Sequence, residues 1–298
     1  MDRHAPRAAV GAGLVLGAAC LWATFGLFTR ELYGRGFSPI ELASIRAAVG
    51  LAGGGLIGLA RGPRRLAIPP RALLFFAAYG VFGFALFEYI FFEVLSRASV
   101  AVAVALLYTA PAFVLIYSRV ILHEHVQPWK WAALLLVLIG VVLVTGALEA
   151  SLDALPATAV ILGIASGIAY AAYTLMSKHA TQKFDPVRSI FWSFLFATLA
   201  FAVVAPPLAP ALRDPDSIPL LIALGIVPTL VPYGLYLMGL RYMRASTASM
   251  LASVEPVVAA ILAAVFLHES LTPLRLAGVV CIVGAAALLA REPEASVQ

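Results

Sequence analysis

Two stretches of the chain carry the same residues at a constant separation of 145 positions. The repeated residues are Pro111, Ile116, Val120, Leu122, His123, Glu124, Pro128, Ala132 and Leu143, which recur as Pro256, Ile261, Val265, Leu267, His268, Glu269, Pro273, Ala277 and Leu288. A separation of about half the chain indicates two copies of one unit. Each copy contains an apolar run with a proline, a His-Glu break, a second proline and another apolar run. This order predicts two membrane helices and the turn between them.

The composition places these apolar runs in a lipid bilayer. Of the 298 residues, 62% are apolar and 12% are charged, and the mean hydropathy is +0.99. Soluble domains are typically about 45–50% apolar and about 25% charged. The net charge of +5 does not indicate a nucleic-acid partner, because the arginines are scattered singly between apolar runs and form no basic face.

The apolar segments predict an all-α membrane protein with ten transmembrane helices, because each segment has roughly the 20 residues that cross a bilayer. The predicted spans are 8–30, 38–60, 71–95, 98–121, 127–147, 155–178, 186–206, 217–241, 245–267 and 272–290. The first five spans, within residues 8–147, form one repeat, and the last five, within residues 155–290, form the second.

The distribution of Lys and Arg predicts the orientation of the spans. Of the 20 Lys and Arg residues, fourteen fall on one set of alternate connections and five on the other, and Arg46 lies within a span. Positive residues concentrate on the cytoplasmic side, so both termini are expected in the cytoplasm. The run that begins at Ala8 continues well past Cys20, which predicts an uncleaved first span rather than a signal peptide.

The odd number of spans in each repeat predicts that the two copies are inverted. With five spans per copy, the second copy enters the membrane from the face opposite to the first. Two inverted repeats around a site near the bilayer midplane are typical of transporters that work by alternating access.

Prolines interrupt corresponding helices in the two copies and suggest gating positions. Pro111 in helix 4 and Pro256 in helix 9 each remove a backbone hydrogen bond in mid-membrane, and helix 8 carries Pro228 and Pro232. Paired interruptions of this kind point to the binding site of a transporter, so helices 3, 4, 8 and 9 are expected to wall a cavity. A kink that serves only packing is the alternative.

Two acidic residues within the predicted spans are the candidate polar groups of the site. Glu255 precedes Pro256 near the centre of helix 9, where a carboxylate costs at least about 2.5 kcal/mol and therefore needs a partner. It could bind an amine, take up a proton, pair with Arg46, or only tie helices together. Glu88 in helix 3 is the second candidate. Arg46 is expected to snorkel or to pair with Glu41 rather than to bind an anion.

Aromatic residues fall in the same helices and would suit a cation or a flat apolar group. The candidates for solute binding are Trp22, Tyr108, Tyr170 and Tyr233. Packing and interface anchoring are the alternative roles.

No cofactor or metal is predicted. Cys20 and Cys281 lie inside apolar runs, and His123-Glu124-His125 lacks the spacing of a zinc protease. The sequence contains no Walker motif, so ATP is not expected to drive this chain directly.

The two repeated stretches resemble a known family. Tyr108-Thr109-Ala110-Pro111 with the run to Leu143, and Ser253-Val254-Glu255-Pro256 with the run to Pro273, are similar to the two EamA-type domains of the drug/metabolite transporter superfamily. The resemblance implies ten helices in two inverted repeats, a central cavity, and export or exchange of small metabolites such as amino acids, amines or sugars. The family pattern often has a Glu-Pro pair in both halves. Ala110 replaces the first Glu here and leaves Glu255 as the single central acid.

Together these features predict a secondary transporter of the inner membrane for a small organic metabolite such as an amino acid or amine, with or without a coupling proton. The alternatives are a membrane-embedded enzyme and a non-transporting scaffold. The expected partners are the solute and the lipid bilayer, not nucleic acid, and both a monomer and a homodimer are compatible with the sequence.

Overall fold

The computed structural model describes residues 5–124, 126–149, 155–268 and 270–289, which form helices joined by short connections, with no strand within these ranges. The first half contains α1 (Ala5–Ala23), α2 (Phe25–Gly34), α3 (Pro39–Ala60), α4 (Pro70–Ala78), α5 (Leu86–Leu95), α6 (Val100–Leu107), α7 (Ala110–Val120) and α8 (Pro128–Val144). The second half contains α9 (Ala157–Lys183), α10 (Pro186–Val204), α11 (Leu208–Arg213), α12 (Ile218–Gly225), α13 (Val231–Leu240), α14 (Ala245–Ala252), α15 (Glu255–Leu267) and α16 (Pro273–Leu289). The terminal Arg3 and Arg291, His125 and Glu269 lie outside the described residues.

Within the described residues, eight helical stretches are long and apolar enough to cross a membrane, which confirms an all-helical membrane protein. These stretches are Ala8–Gly34, Pro39–Ala60, Pro70–Leu95, Val100–Val120, Ala157–Lys183, Pro186–Val204, Pro215–Leu240 and Ala245–Leu267. The predicted spans 127–147 and 272–290 correspond to the apolar helices α8 and α16, which are shorter at 17 residues each.

Interruptions within these stretches repeat at the same separation as the sequence. The helix pair α6 and α7 is broken at Tyr108 and Thr109, and the pair α14 and α15 is broken at Ser253 and Val254, so the two breaks lie 145 residues apart. Helices α8 and α16 begin and end at the same separation. A π-helical segment, Tyr79–Ala85, follows α4, and another, Ile226–Leu230, follows α12.

The repeated His-Glu turns also share an unusual backbone conformation. His123 and His268 are the only non-glycine residues with positive φ in the described part of the chain, at 53° and 56°. His268 directly follows the last residue of α15, whereas His123 lies three residues after the end of α7. Non-glycine residues adopt this left-handed conformation rarely.

Prolines account for the breaks near the middle of the membrane. Pro111 is the second residue of α7 and Pro256 is the second residue of α15. A proline has no N–H to donate and suits the first turn, where backbone N–H groups have no partner within the helix. The single continuous spans predicted for 98–121 and 245–267 are therefore two shorter helices each, with a break one turn before the proline.

Glycines allow α8 and α16 to pack closely. A Cβ on Gly140 would lie 3.0 Å from the carbonyl oxygen of Gly278, and a Cβ on Gly278 would lie 2.7 Å from the carbonyl oxygen of Gly140. Gly140 also faces Cys281 and Ile282, whereas Val144 faces Gly278. Residues later in α8 therefore contact residues earlier in α16, so these two equivalent helices are antiparallel.

The equivalent helices α3 and α10 are antiparallel too. A Cβ on Gly50 would meet the ring of Phe194, and a Cβ on Gly54 would meet Ile190, one turn earlier in α10. Gly50 and Gly54 of α3 thus allow close packing against α10. Helices α1 with α13 and α5 with α9 also pack closely, and a cavity lies among them.

Candidate solute cavity

A cavity of about 360 Å³ lies at the level of the two mid-helix breaks. It runs along α2, α5, α6 and α15 towards the end of the bundle that carries the connection between Leu95 and Val100. All six predicted solute-binding residues and one predicted gating proline line it: Trp22, Glu88, Tyr108, Tyr170, Tyr233, Glu255 and Pro256. Pro111, Pro228 and Pro232 are buried in the surrounding helices rather than in the lining.

Glu255 is the first residue of α15 and projects into this cavity. The Tyr108 hydroxyl donates a hydrogen bond to its Oε2 atom at 2.7 Å, across the two helix breaks. The positive end of the α15 dipole lies at the same position and favours a negative charge. No ion pair to Glu255 is present within the described residues, so the pairing with Arg46 considered from the sequence does not occur.

Glu88 and Arg46 form a buried ion pair, and this corrects the sequence prediction for Arg46. Nη1 of Arg46 lies 3.1 and 3.3 Å from the two carboxylate oxygens of Glu88, and both residues are about 95% buried. Arg46 therefore does not snorkel. Glu41 instead caps α3 through Ser38 and pairs with Arg213. Two opposite charges that are mostly removed from water are held together by their mutual attraction, because each would be costly alone.

Pro228 helps to position Arg46 through a chain of hydrogen bonds. Because Pro228 has no N–H, the carbonyl oxygen of Leu224, four residues earlier, lacks its usual helical partner. The Thr229 hydroxyl donates to this carbonyl at 3.0 Å and accepts a hydrogen bond from Nε of Arg46 at 2.9 Å. The helix irregularity thus creates an acceptor for the arginine. Irregular π segments of this kind are frequent at functional sites.

Aromatic rings form much of the remaining wall. Trp22 contacts Tyr233 edge to face with ring centroids 5.4 Å apart, and Tyr170 is stacked on Phe87 at 5.2 Å. Phe25 lies under the Arg46 guanidinium, 4.4 Å from ring centroid to Cζ, which is a cation–π arrangement. The cavity therefore combines three charged groups with a largely apolar surface.

The cavity is closed on the side opposite its opening by a layer of buried tyrosines. Tyr173 stacks on Tyr79 and on Tyr236 with ring centroids 5.8 and 6.3 Å apart. The Tyr79 hydroxyl lies 2.6 Å from Oγ of Ser177. Beyond this layer, Nζ of Lys178 donates to the carbonyl oxygens of Leu240 and Met243 at 2.7 and 2.9 Å, which ties α9 to the end of α13.

Several lining residues were missed in the sequence analysis. Arg46 is the most important, and Thr29, Tyr33, Phe87 and Phe91 also line the cavity. Arg46 could have been found by pairing charges between spans, because the buried acid in the next span, Glu88, needs a basic partner. Nothing in the sequence distinguishes the phenylalanines from ordinary packing residues.

The described residues contain no cluster of three His, Cys, Asp or Glu side chains that could hold a metal ion. Cys20 is exposed and Cys281 is half-buried, and both are free thiols on helices whose outer faces are apolar.

A family model described as the EamA-like transporter family matches residues 9–146 and again residues 157–291. An uncharacterized transporter of Archaeoglobus fulgidus is 30% identical over 287 residues, covering 95% of this chain and 97% of that protein. The threonine/homoserine exporter RhtA of Escherichia coli K12 is 28% identical over 198 residues, covering 66% of this chain and 65% of the exporter.

A solved crystal structure shares the fold. Its TM-score to this chain is 0.75, and the alignment covers 94% of this chain and 97% of the solved chain at 22% sequence identity. At this identity the similarity supports the fold and carries no information on the solute.

Proposed function

The chain belongs to the EamA-like transporter family, and on this premise we propose that it is a secondary transporter that moves a small organic metabolite by alternating access. The observation that carries the proposal is the cavity. It holds Glu255, Glu88 and Arg46 at mid-bundle, opens towards one end and is closed towards the other by the Tyr79, Tyr173 and Tyr236 layer. A solute site reached from one face at a time is the geometry that alternating access requires.

The proposed architecture is ten transmembrane helices in two inverted five-helix repeats, residues 8–147 and 155–290. The constant separation of the breaks and the antiparallel packing of α8 with α16 and of α3 with α10 support the inversion, because equivalent helices of direct repeats would run parallel. Helices α8 and α16 would complete the ten, since 17 residues lie at the lower limit for a membrane span.

The proposed location is the inner membrane with both termini in the cytoplasm, as the distribution of Lys and Arg indicates. In this orientation the cavity opens to the outside. The tyrosine layer and Lys178 then close the cytoplasmic side.

The lining residues have distinct proposed roles. Glu255 would bind a positive group of the solute or carry a coupling proton, and Glu88 adds a second negative charge beside Arg46. Trp22, Tyr108, Tyr170 and Tyr233 would flank the solute. This assignment is supported by their common position in one cavity.

The proposed gating elements are the helices interrupted at Pro111, Pro256, Pro228 and Pro232. Helices broken at mid-membrane have fewer backbone hydrogen bonds across the break, so their halves can tilt with little cost. The residues between the breaks and the open end of the bundle line the open part of the cavity. A tilt of these helix halves would narrow this opening.

An amino acid or an amine is the proposed solute class. The relative RhtA is named for export of threonine and homoserine, and an ammonium group matches the carboxylate of Glu255. A membrane-embedded enzyme is the less favoured function, since the residues lining the cavity lack a histidine, cysteine or serine that could act as nucleophile or base. A non-transporting scaffold would not need a lined cavity of this size.

The test combines a ligand screen with a transport measurement. Purified protein is screened by thermal shift against amino acids, polyamines, sugars and aromatic cations at two pH values, and the best stabiliser is used for uptake into proteoliposomes. Ligands that bind the folded state raise the melting temperature by mass action. We expect Glu255→Gln to lower uptake roughly tenfold or more, because a hydrogen bond to a charged group is lost.

Glu93→Gln is the matched control. Glu93 lies on α5 outside the cavity and pairs with Arg97 at the surface, so this variant should transport normally. Unchanged uptake by Glu255→Gln would refute the role of Glu255, and the absence of any stabilising solute would favour the scaffold.

A further inference from the structure

Arg46 retains hydrogen-bonding capacity that its neighbours do not use. Nη1 alone contacts both carboxylate oxygens of Glu88, and Nε is bonded to Thr229. An arginine that binds a carboxylate fully does so with two parallel N–H···O bonds from two nitrogens. Here Nη2 has no hydrogen-bond partner among the described residues. Nη2 is not fully buried, and because Arg46 lines the cavity, this atom is accessible from the cavity.

Glu255 shows the complementary situation. Oε2 accepts the hydrogen bond of Tyr108. Oε1 has no hydrogen-bond partner in the described ranges, and it is not fully buried. Glu255 is also only partly buried because it faces the cavity. The cavity therefore presents one free hydrogen-bond donor, Nη2 of Arg46, and one free acceptor, Oε1 of Glu255.

The charges in the lining constrain what can bind. The lining contains two acidic residues, Glu88 and Glu255, and one basic residue, Arg46. A simple amine would satisfy Glu255 and leave Nη2 of Arg46 unused, whereas a simple carboxylate would meet the uncompensated charge of Glu255. A zwitterion satisfies both groups at once. Buried polar groups left without partners are the main cause of discrimination in such sites.

We infer that Arg46 is the carboxylate-binding residue of this cavity, through Nη2, and that Glu255 binds the ammonium group of the same solute. The solute class is then a small zwitterion of the amino-acid type, with its side chain against Trp22, Tyr170 and Tyr233. This inference rests on the proposed transport function. A volume of about 360 Å³ accommodates a molecule of that size.

Glu88 has a specific role in this arrangement. It positions the guanidinium through Nη1, and its own negative charge lies close to the site where the solute carboxylate would bind. Glu88 therefore opposes carboxylate binding while it orients Arg46. Glu88→Gln keeps an oxygen that can accept from Nη1 and removes the charge, so this variant should bind the zwitterion more tightly than the wild type. A residue that only binds a positive group of the solute would give the opposite result.

The test uses the purified full-length protein and matched sets of ligands. Thermal shift with the L-amino acids identifies the strongest binder, and its affinity is compared with that of the amine lacking the carboxylate and of the carboxylic acid lacking the amine. We expect both truncated ligands to bind roughly tenfold or more weakly than the amino acid. Arg46→Gln should abolish the preference over the amine, and Glu88→Gln should strengthen amino-acid binding severalfold.

The outcomes separate this inference from the proposed function. An amine that binds as well as its amino acid, or amino-acid binding weakened by Glu88→Gln, would overturn the zwitterion site and leave a transporter of cations. If no amino acid binds while a sugar or an aromatic cation does, the zwitterion site fails and the transport function stands. If no solute of the screen binds, both proposals fail. If Arg46→Gln does not fold, the wild-type ligand series and Glu88→Gln, read against Glu93→Gln, still decide the inference.

Discussion

Glu255 is tolerated in the middle of the bundle because its surroundings replace part of the water it loses. The Tyr108 hydroxyl donates to it, and the positive end of the α15 dipole lies at the same position. Both arise from the paired helix breaks, so one feature of the backbone opens the cavity and supplies its polar groups. The tyrosines on the closed side serve a different purpose. The Tyr236 hydroxyl donates to Thr174 and so joins α13 to α9. The Tyr79 hydroxyl bonds to Ser177 and so joins the π segment after α4 to α9.

The Tyr79 hydroxyl can be tested by a single deletion. Ser177 donates its hydroxyl hydrogen to the carbonyl oxygen of Tyr173 at 2.7 Å, so Tyr79 is the donor in the contact with Ser177. Tyr79→Phe removes this buried hydrogen bond and should lower the free energy of unfolding by about 1 kcal/mol. The melting temperature of the variant in detergent would report this loss.

Tyr233→Phe is the control for this measurement. The Tyr233 hydroxyl has no hydrogen-bond partner within the described residues and its ring lines the cavity. Its removal should change stability little. Equal effects of the two variants would show that the Tyr79 contact does not stabilise the closed side.

At the scale of the helices, glycine decides which elements can approach each other. The close crossing of α8 and α16 depends on Gly140 and Gly278, whose Cα hydrogens allow the two backbones to meet. In a membrane there is little hydrophobic driving force between helices, so such close contacts carry much of the association energy. This crossing joins the two halves of the chain.

Gly140→Ala should therefore destabilise the protein. The added Cβ would lie 2.7 Å from Cγ1 of Ile282 and 3.0 Å from the backbone oxygen of Gly278, and the backbone cannot move without separating the helices. Overpacking of this kind costs about 1–3 kcal/mol. Thermal unfolding in detergent, followed by circular dichroism, would measure it.

Gly13→Ala provides the comparison, because a Cβ there meets nothing within 4 Å. Alanine is the better helix former by up to about 1 kcal/mol, so this variant should be neutral or stabilised. If Gly140→Ala also left the stability unchanged or raised it, α8 and α16 would not cross as closely as described.

The helices were largely predictable from the sequence, and the site was predictable in part. Apolar length and proline position predicted the spans, because both act within one segment. Glu255 and the tyrosines were selected as candidates because polar groups within membrane spans are costly and usually have a function. The pair of Arg46 and Glu88 was not predicted. Opposite charges in neighbouring spans indicate that a pair can form, but the rotation of each helix about its axis, which packing sets, decides which charges meet. The contact of Arg46 with Thr229 was not predicted for the same reason, since it joins two different helices.

For the whole molecule, the proposed movement is a tilt of the two halves against each other. The antiparallel pairs α8 with α16 and α3 with α10 each join one half to the other, so they lie where this tilt would occur. The cavity lies between them and is closed at one end only. A tilt that opened the contact of Lys178 with Leu240 and Met243 and narrowed the gap near Leu95 would produce the opposite opening.

The most direct test of the account is the side of the membrane on which each repeated turn lies. Single cysteines are placed at His123 and at His268 in a variant whose Cys20 and Cys281 are replaced by alanine, and intact cells are treated with a membrane-impermeant thiol reagent. Inverted repeats with cytoplasmic termini predict labelling at position 268 in intact cells and at position 123 only after permeabilisation. Labelling of both turns from the same face would contradict the inverted arrangement and the alternating-access mechanism that depends on it.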